Sequence, residues 1–148
     1  MRSITEPEGL GHLLAHTCRL HYARVHERLE KIGLYRGQPP MLHALWEQEG
    51  LTHTELAAHL QISPATTTKM IQRMEKAGFI RRRPDPQDQR LSRVYLTESG
   101  RAVRSEVEAI WSDIEAETFA GFSTEEKESL RNFYRRIQNN LSMGNSET

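Results

Sequence analysis

The sequence predicts a mainly α-helical protein that carries one small β-hairpin. Three observations predict this fold class: apolar residues recur at helical spacing over most of the chain, capping residues mark helix starts, and one segment sets turn residues between short apolar runs. The 148 residues are 36% apolar. That content suits a single compact domain, or one small domain with additional dimerisation helices.

A long amphipathic helix is predicted first, and it ends near Gly33. A shorter helix then begins at Pro39 or Pro40 and is closed by Gly50. The apolar stripe of the long helix recurs at intervals of three, four or seven residues and comprises Leu10, Leu14, Cys18, Val25, Leu29 and Ile32, widened by Leu13 and Leu20.

Two further helices are predicted on either side of a tight turn. Thr52 and Glu55 have the spacing of a capping box, so a helix begins near Thr52. After a three-residue turn, Ser63 is a good N-cap and Pro64 suits the first position of the next helix. Gly78 is placed to end that helix in a left-handed conformation. Its predicted buried stripe comprises Met70, Ile71, Met74 and Ala77.

A hairpin with a basic tip is predicted next. Phe79-Ile80 and the run from Val94 to Leu96 suit short strands, and the Pro-rich and Asp-rich segment between them is turn chemistry. Arginines flank this loop on both sides. Two helices joined by a tight turn and followed by such a hairpin form a winged helix-turn-helix, which makes double-stranded DNA the expected partner.

The outer face of the second of these helices has side chains suited to a major groove. Gln72 can pair with adenine, Arg73 with guanine, and Lys69 can meet phosphate. A solvated polar face is the alternative interpretation, and the neighbouring arginine-flanked hairpin argues against it. The residues predicted to contact DNA from this helix and from the hairpin arms are Ser63, Ala65, Thr66, Thr68, Lys69, Gln72, Arg73, Arg83 and Arg93.

Positive charge is concentrated in the same region of the chain. Overall, 20 Lys and Arg balance 20 Asp and Glu. Residues 63–104 nevertheless hold ten basic and four acidic residues, a net charge of +6, so the remainder carries −6. A basic excess on the groove-facing elements is what phosphate contact requires, although the whole chain is neutral.

The segment from Asp88 to Thr97, DQRLSRVYLT, resembles the wing motif D-x-R-x-x-x-V-x-L-T of the MarR (multiple-antibiotic-resistance regulator) family. Leu56 to Gly78 is similar to the recognition unit of that family. The resemblance implies a homodimer in which Arg90 enters a minor groove, oriented by Asp88. It also implies a transcriptional regulator, most often a repressor, that a small molecule releases from a pseudo-palindromic operator. Gln61 departs from the glycine often found in the turn, a difference of about 1 kcal/mol if the residue is left-handed.

The resemblance also implies a domain organisation and a ligand pocket. Residues 35–97 would form the DNA-binding domain, and residues 1–34 and 98–148 the dimerisation helices. Thr97 can cap one of these helices, and Ser123 with Glu126 forms a capping box for the last. Together the long helices present more apolar surface than the small module can cover, which favours a second subunit. The family geometry gives His12, His16, Arg19, Met41 and Trp46 as pocket walls.

Other classes of function remain as alternatives. A protein-interaction adaptor could keep the winged fold without DNA binding, and Cys18 could be a redox-sensing thiol, although a buried or interface position is favoured. His12 and His16 lack a third ligand at metal-binding spacing, so no metal or other cofactor is expected. No nucleotide-binding or hydrolase motif indicates an enzyme. Without a signal stretch or a run of about 18 apolar residues, we expect a cytoplasmic protein with no membrane partner.

Overall fold

The computed structural model describes residues 9–35 and 37–143. The elements of this part of the chain are α1 (Leu10–Glu30), α2 (Gln38–Glu47), β1 (Leu51–Thr52), α3 (His53–Leu60), α4 (Pro64–Lys76), β2 (Ile80–Pro84), β3 (Ser92–Leu96), α5 (Glu98–Thr118) and α6 (Thr124–Met143). The mainly α fold with a small β-hairpin is thereby confirmed.

The described residues form two compact units, one ending at Ser112 and the other beginning at Asp113. The predicted division into a DNA-binding segment, residues 35–97, and dimerisation helices, residues 1–34 and 98–148, concerns function and stays a prediction. Residues 1–8, 36 and 144–148 of those ranges lie outside the described part of the chain.

The sheet has three antiparallel strands in the order β1-β3-β2, whereas only a two-stranded hairpin was predicted. β3 lies in the centre, where Val94 pairs with Leu51 of β1 and Leu96 pairs with Ile80 of β2. Just before β1, Gly50 donates its N–H to the carbonyl of Val94 at 2.9 Å. β1 was missed because two residues have no periodicity of their own, and the partner strand lies about forty residues further along the chain.

Local capping signals begin the helices where the sequence predicts. Thr52 Oγ1 accepts the backbone N–H of Glu55, and Glu55 Oε2 accepts that of Thr52, both at 3.2 Å. Ser63 Oγ caps α4 by accepting the N–H of Thr66 at 3.1 Å. The capping boxes at Thr52 and at Ser123 are confirmed. α2 begins at Gln38, one or two residues earlier than the predicted start at Pro39 or Pro40.

The inner face of α4 is part of the core. Ile71 and Met74 are fully buried, and α4 packs against α3 and β2. Met70 is only half-buried, and Ala77 is exposed because it lies beyond the last residue of α4. The predicted stripe is therefore correct for its central members and wrong for Ala77.

α1 leaves most of its apolar stripe uncovered. Val25 and Leu29 are its only buried residues, and Leu10 is 86% exposed. Cys18 is also exposed, so it is not buried within its own subunit, and the alternative position at a subunit interface stays a prediction. Across the part of the chain that the structure describes, no helix combines the length and apolar character needed to cross a membrane.

Gly100 is required where α5 meets the turn after α4. A Cβ atom at Gly100 would lie 2.1 Å from the carbonyl oxygen of Phe79, and the Gly100 carbonyl accepts the indole N–H of Trp46 at 2.8 Å. Gly11, near the start of α1, is a helical glycine that serves as a control. A Cβ atom added there would have no atom within 4 Å.

We expect Gly100→Ala to lower the free energy of unfolding by more than about 1 kcal/mol, because backbone must move to admit the methyl group. Gly11→Ala should raise it by up to about 1 kcal/mol through helix propensity. Urea denaturation followed by circular dichroism measures both. Equal effects of the two substitutions would contradict the close approach at Gly100.

Candidate nucleic-acid interface

The outer face of α4 is polar and accessible. Its exposed side chains include those predicted to contact DNA, namely Ala65, Thr66, Lys69, Gln72 and Arg73. Ser63 is exposed at the helix start, where its hydroxyl donates to Thr66 Oγ1 at 2.8 Å and accepts the Thr66 N–H. The hydroxyl of Thr67, on the opposite face, is buried and donates to the Ser63 carbonyl at 2.9 Å.

Thr68 is half-buried rather than outward-facing, because His53 of α3 lies against it. Thr68 Oγ1 is 3.5 Å from His53 Nδ1, and His53 Nε2 is buried with no hydrogen-bond partner among the described residues. Burial, followed by the positive charge of Arg82, lowers the pKa of His53, which favours the neutral form of the ring. His53 was not predicted from the sequence, since it carries no motif of its own.

The wing, defined as β2, β3 and the loop of residues 85–91, projects Arg90 into solvent. The Arg90 side chain is 92% exposed. Its Nε donates to Asp88 Oδ1 at 3.1 Å, and the backbone N–H of Arg90 donates to the same oxygen at 3.1 Å. The two residues that the wing motif pairs are therefore in contact.

Arg93 is held within the protein rather than directed outward. Its Nε donates to Asp85 Oδ2 at 2.5 Å, and one terminal nitrogen donates to the Gly50 carbonyl at 2.7 Å. The hydrogen bond from Arg93 is the main cause that lowers the pKa of Asp85, and the same bond raises the pKa of Arg93. The prediction that Arg93 contacts DNA stays a prediction, and the internal role of Asp85 was missed.

Arg82 and Arg83 of β2 have different partners. Arg82 forms two hydrogen bonds of 3.0 Å with Glu75 of α4, and these tie β2 to that helix. This contact is the main cause that lowers the pKa of Glu75. Arg83, predicted to contact DNA, is exposed and lies 5.9 Å from the ring centroid of Tyr95.

A cavity of about 430 Å³ lies beside α2, and only one predicted pocket residue lines it. That residue is Trp46. Met41 is fully buried in the core, and the three predicted residues on α1, His12, His16 and Arg19, do not line this cavity. Four of the five predicted pocket residues therefore do not line this cavity, and the pocket implied by the family geometry stays a prediction. The lining comprises Pro39, Pro40, His43, Trp46, Arg104, Val107, Glu108 and Trp111.

The cavity combines aromatic walls with one cation. The guanidinium of Arg104 lies 5.8 Å from the ring centroid of Trp46, and Arg104 Nε donates to Glu108 Oε1 at 2.9 Å. No group of three or more His, Cys, Asp or Glu side chains is placed to hold a metal ion within residues 9–35 and 37–143. The arrangement suits a planar, partly apolar molecule with a negative group.

Comparison with known proteins identifies similar sequences and folds. The MarR family model matches residues 34–92. The uncharacterized HTH-type transcriptional regulator YwoH of Bacillus subtilis is 30% identical over 126 residues, which cover 85% of this chain and 91% of YwoH. A mutant of MepR from S. aureus shares the fold with a TM-score of 0.80 at 23% identity, covering 90% of this chain and 98% of that structure.

Another similar structure concerns regulation by a small molecule. BpsR of Bordetella bronchiseptica is 26% identical in sequence, and its structure matches this fold with a TM-score of 0.72. The match covers 93% of this chain and 98% of BpsR. The DNA binding of BpsR is regulated by 6-hydroxynicotinic acid.

The lowered pKa of Asp85 predicts that the free energy of unfolding depends on pH. Because the pKa of Asp85 is lower in the folded than in the unfolded protein, its ionised carboxylate contributes fully to the free energy of unfolding above the ordinary pKa of Asp. This contribution is lost as the pH falls through the pKa of the folded protein. We therefore expect the wild type to be more stable than Asp85→Asn at neutral pH, with a difference that shrinks on acidification. Urea denaturation of both proteins from about pH 7 to about pH 3 measures it. A constant difference would contradict the Arg93–Asp85 contact.

Proposed function

This chain belongs to the MarR family, a family of transcriptional regulators rather than of enzymes, and on that premise we propose a homodimeric repressor that binds a pseudo-palindromic operator and responds to a small molecule. The observation that carries the proposal is the exposed polar face of α4 beside a wing that projects Arg90 into solvent. These are the two elements with which a winged helix-turn-helix contacts DNA.

We propose that α4 lies in the major groove. Its exposed face offers side chains for base edges, with Gln72 suited to adenine and Arg73 to guanine. Lys69 and the capped start of the helix are suited to contact the phosphate backbone. The half-buried position of Thr68 against His53 leaves Ala65 and Thr66 as the better candidates for thymine methyl groups.

We propose that Arg90 enters an adjacent minor groove. A narrow minor groove concentrates negative potential, which attracts a guanidinium on an extended finger. The ion pair with Asp88 restricts the rotamers of Arg90 before DNA arrives, so less conformational entropy is lost on binding. The exposure of Arg83 on β2 supports the proposal that it neutralises a phosphate.

The apolar surfaces of α1 and α6 support a homodimer. No residue of α6 is buried, although Phe133, Ile137 and Leu141 follow one another at intervals of four residues along one face. α1 exposes a stripe of leucines as well. Monomers rarely leave apolar patches of this extent uncovered. A two-fold partner would cover them and would present two copies of α4 to half-sites about 34 Å apart, one turn of DNA.

We propose that the effector is a small aromatic acid held in the cavity beside α2. The cavity brings a cation, Arg104, to the aromatic rings of Trp46 and Trp111. Regulation of BpsR by 6-hydroxynicotinic acid, a compound of this class, supports the proposal. A ligand that binds better to one spacing of the two DNA-binding units would shift the population toward that spacing and reduce operator affinity.

Arg90→Ala should weaken operator binding by about 1 to 3 kcal/mol and reduce the salt dependence by about one phosphate equivalent. Fluorescence anisotropy at several salt concentrations measures both, with a fragment that the wild type selects from genomic DNA. The control is Arg131→Ala, since Arg131 is also exposed and paired with a carboxylate but lies on α6. Unchanged affinity in a folded Arg90→Ala protein would reject the minor-groove role.

A charged pair of substitutions should separate the subunits. We expect Ile137→Glu with Leu141→Glu to shift the protein from dimer to monomer at micromolar concentration, because two carboxylates would be buried at the interface. Analytical ultracentrifugation measures the shift. Asn139→Glu, exposed on the opposite face of the same helix, should leave the dimer intact. A monomeric wild type would refute the homodimer.

Ligand binding should be visible in intrinsic fluorescence, because both tryptophans of the chain line the cavity. We expect saturable quenching by hydroxynicotinate or hydroxybenzoate, together with weaker DNA binding. Arg104→Met should reduce ligand affinity by about 1.5 to 3 kcal/mol, the range for hydrogen bonds to charged groups. Quenching that does not saturate, or that Arg104→Met leaves unchanged, would contradict this site.

A further inference from the structure

We infer that Arg93 and Asp85 are positioning residues for DNA recognition, which hold the loop carrying Arg90 in place, and that Arg93 acts through Arg90 rather than by contacting DNA. This inference rests on the proposed function of the wing. The group formed by Arg93, Asp85 and the Gly50 carbonyl is called the Arg93 clamp below. It joins the wing loop to the turn that precedes β1.

Arg93 bridges two segments that are distant in sequence. From its place on β3 its guanidinium donates both to the carboxylate of Asp85, at the start of the wing loop, and to the carbonyl of Gly50. The Gly50 N–H in turn donates to the carbonyl of Val94, the residue after Arg93. A planar guanidinium can serve two acceptors in fixed directions, so the wing loop is held relative to the helix-turn-helix.

Asp85 transmits this constraint to the tip of the loop. Its second carboxylate oxygen accepts the backbone N–H groups of Gln87 at 2.8 Å and Asp88 at 3.0 Å. The Asp85 N–H donates to the Leu91 carbonyl at 2.9 Å, which closes the loop. Asp88, whose backbone is placed in this way, holds Arg90 through its own carboxylate. A continuous series of hydrogen bonds therefore leads from Arg93 to Arg90.

The burial of the two arginines separates their roles. The side chain of Arg93 is 32% exposed and that of Asp85 only 11%, whereas that of Arg90 is 92% exposed. A phosphate would have to compete with Asp85 for the guanidinium of Arg93. Directly across the strands, Arg93 pairs with Arg83, and like charges in opposite positions destabilise a sheet. Asp85 neutralises one of them.

The Arg93 clamp reduces the disorder that DNA binding would otherwise have to remove. Without it, residues 85–91 would be a loop closed by fewer contacts. Ordering such a loop on DNA would consume part of the binding free energy, so a preorganised wing binds more tightly with the same DNA contacts.

Asp85→Asn separates positioning from simple electrostatics, because the two explanations predict opposite changes in operator affinity. Removing a negative charge beside DNA should by itself strengthen binding. Loss of the Arg93 clamp should weaken it, and we expect a roughly tenfold loss of operator affinity, comparable to one good contact. Glu98→Gln, an exposed acid at the start of α5, is the charge-matched control and should bind as well as the wild type or better. Equal or tighter binding by Asp85→Asn would overturn the inference.

A double-mutant cycle tests whether Arg93 acts through Arg90. We expect Arg93→Met to weaken binding in the wild type but to have little further effect in an Arg90→Ala background. Additive losses would indicate a direct DNA contact by Arg93. Arg93→Lys retains the charge without the planar bridge, so it should resemble Arg93→Met. Affinity close to wild type for Arg93→Lys would favour phosphate contact and reject positioning.

A measurement without DNA keeps the inference distinct from the proposed function. A nitroxide at Gln89→Cys, in a Cys18→Ser background, reports loop mobility by electron paramagnetic resonance. We expect Arg93→Met to increase this mobility while a cooperative unfolding transition is retained. If Arg93→Met loses that transition, Arg93→Gln, which keeps a polar side chain but lacks the guanidinium, is measured in its place. Unchanged mobility would overturn the inference. Increased mobility with no loss on Arg90→Ala would instead reject the minor-groove role and retain the Arg93 clamp.

Discussion

Burial of the inner face of α4 is the constraint on which the candidate DNA-binding surface depends. Thr67, Ile71 and Met74 are fully buried against neighbouring elements. Because a helix has about 3.6 residues per turn, burying this stripe directs Lys69, Gln72 and Arg73 to the opposite face. The same packing places β2 beside α4, so the position of the wing follows from the helix that it accompanies.

The arginines of the wing divide into two classes with different physical tasks. Arg82 and Arg93 are paired with carboxylates and hold the wing to α4 and to the turn before β1. Arg81, Arg83 and Arg90 are exposed, and Arg90 is paired with Asp88 within the wing loop itself. Counting the basic residues therefore overstates the charge available to phosphates, since internal pairs neutralise part of it. The contact with Asp88 restricts the orientation of Arg90, and in the proposed complex with DNA this would reduce the conformational entropy lost on binding.

Much of the fold could be predicted because its signals are local. A capping box needs only residues three apart, and Pro64 and Gly78 act through the conformations of their own backbone. These predictions are confirmed. Gln61 is left-handed, as the tight turn requires, although it is not glycine. The strand β1 and the exposure of Cys18 could not be predicted, because both depend on which distant segments pack nearby.

The sequence by itself determined the class of fold and, apart from Thr68, the outer face of α4, since periodicity and capping residues encode them; the pairing of Asp88 with Arg90 was implied by the family resemblance of the wing motif. Only the tertiary structure decided that Arg93 is directed inward, that His53 covers Thr68, and that the cavity involves Trp46 without the histidines of α1. These features join residues separated by roughly fifteen to more than sixty positions. Such contacts form only when packing brings distant segments together, and a side chain cannot reveal its distant partner from its neighbours in sequence.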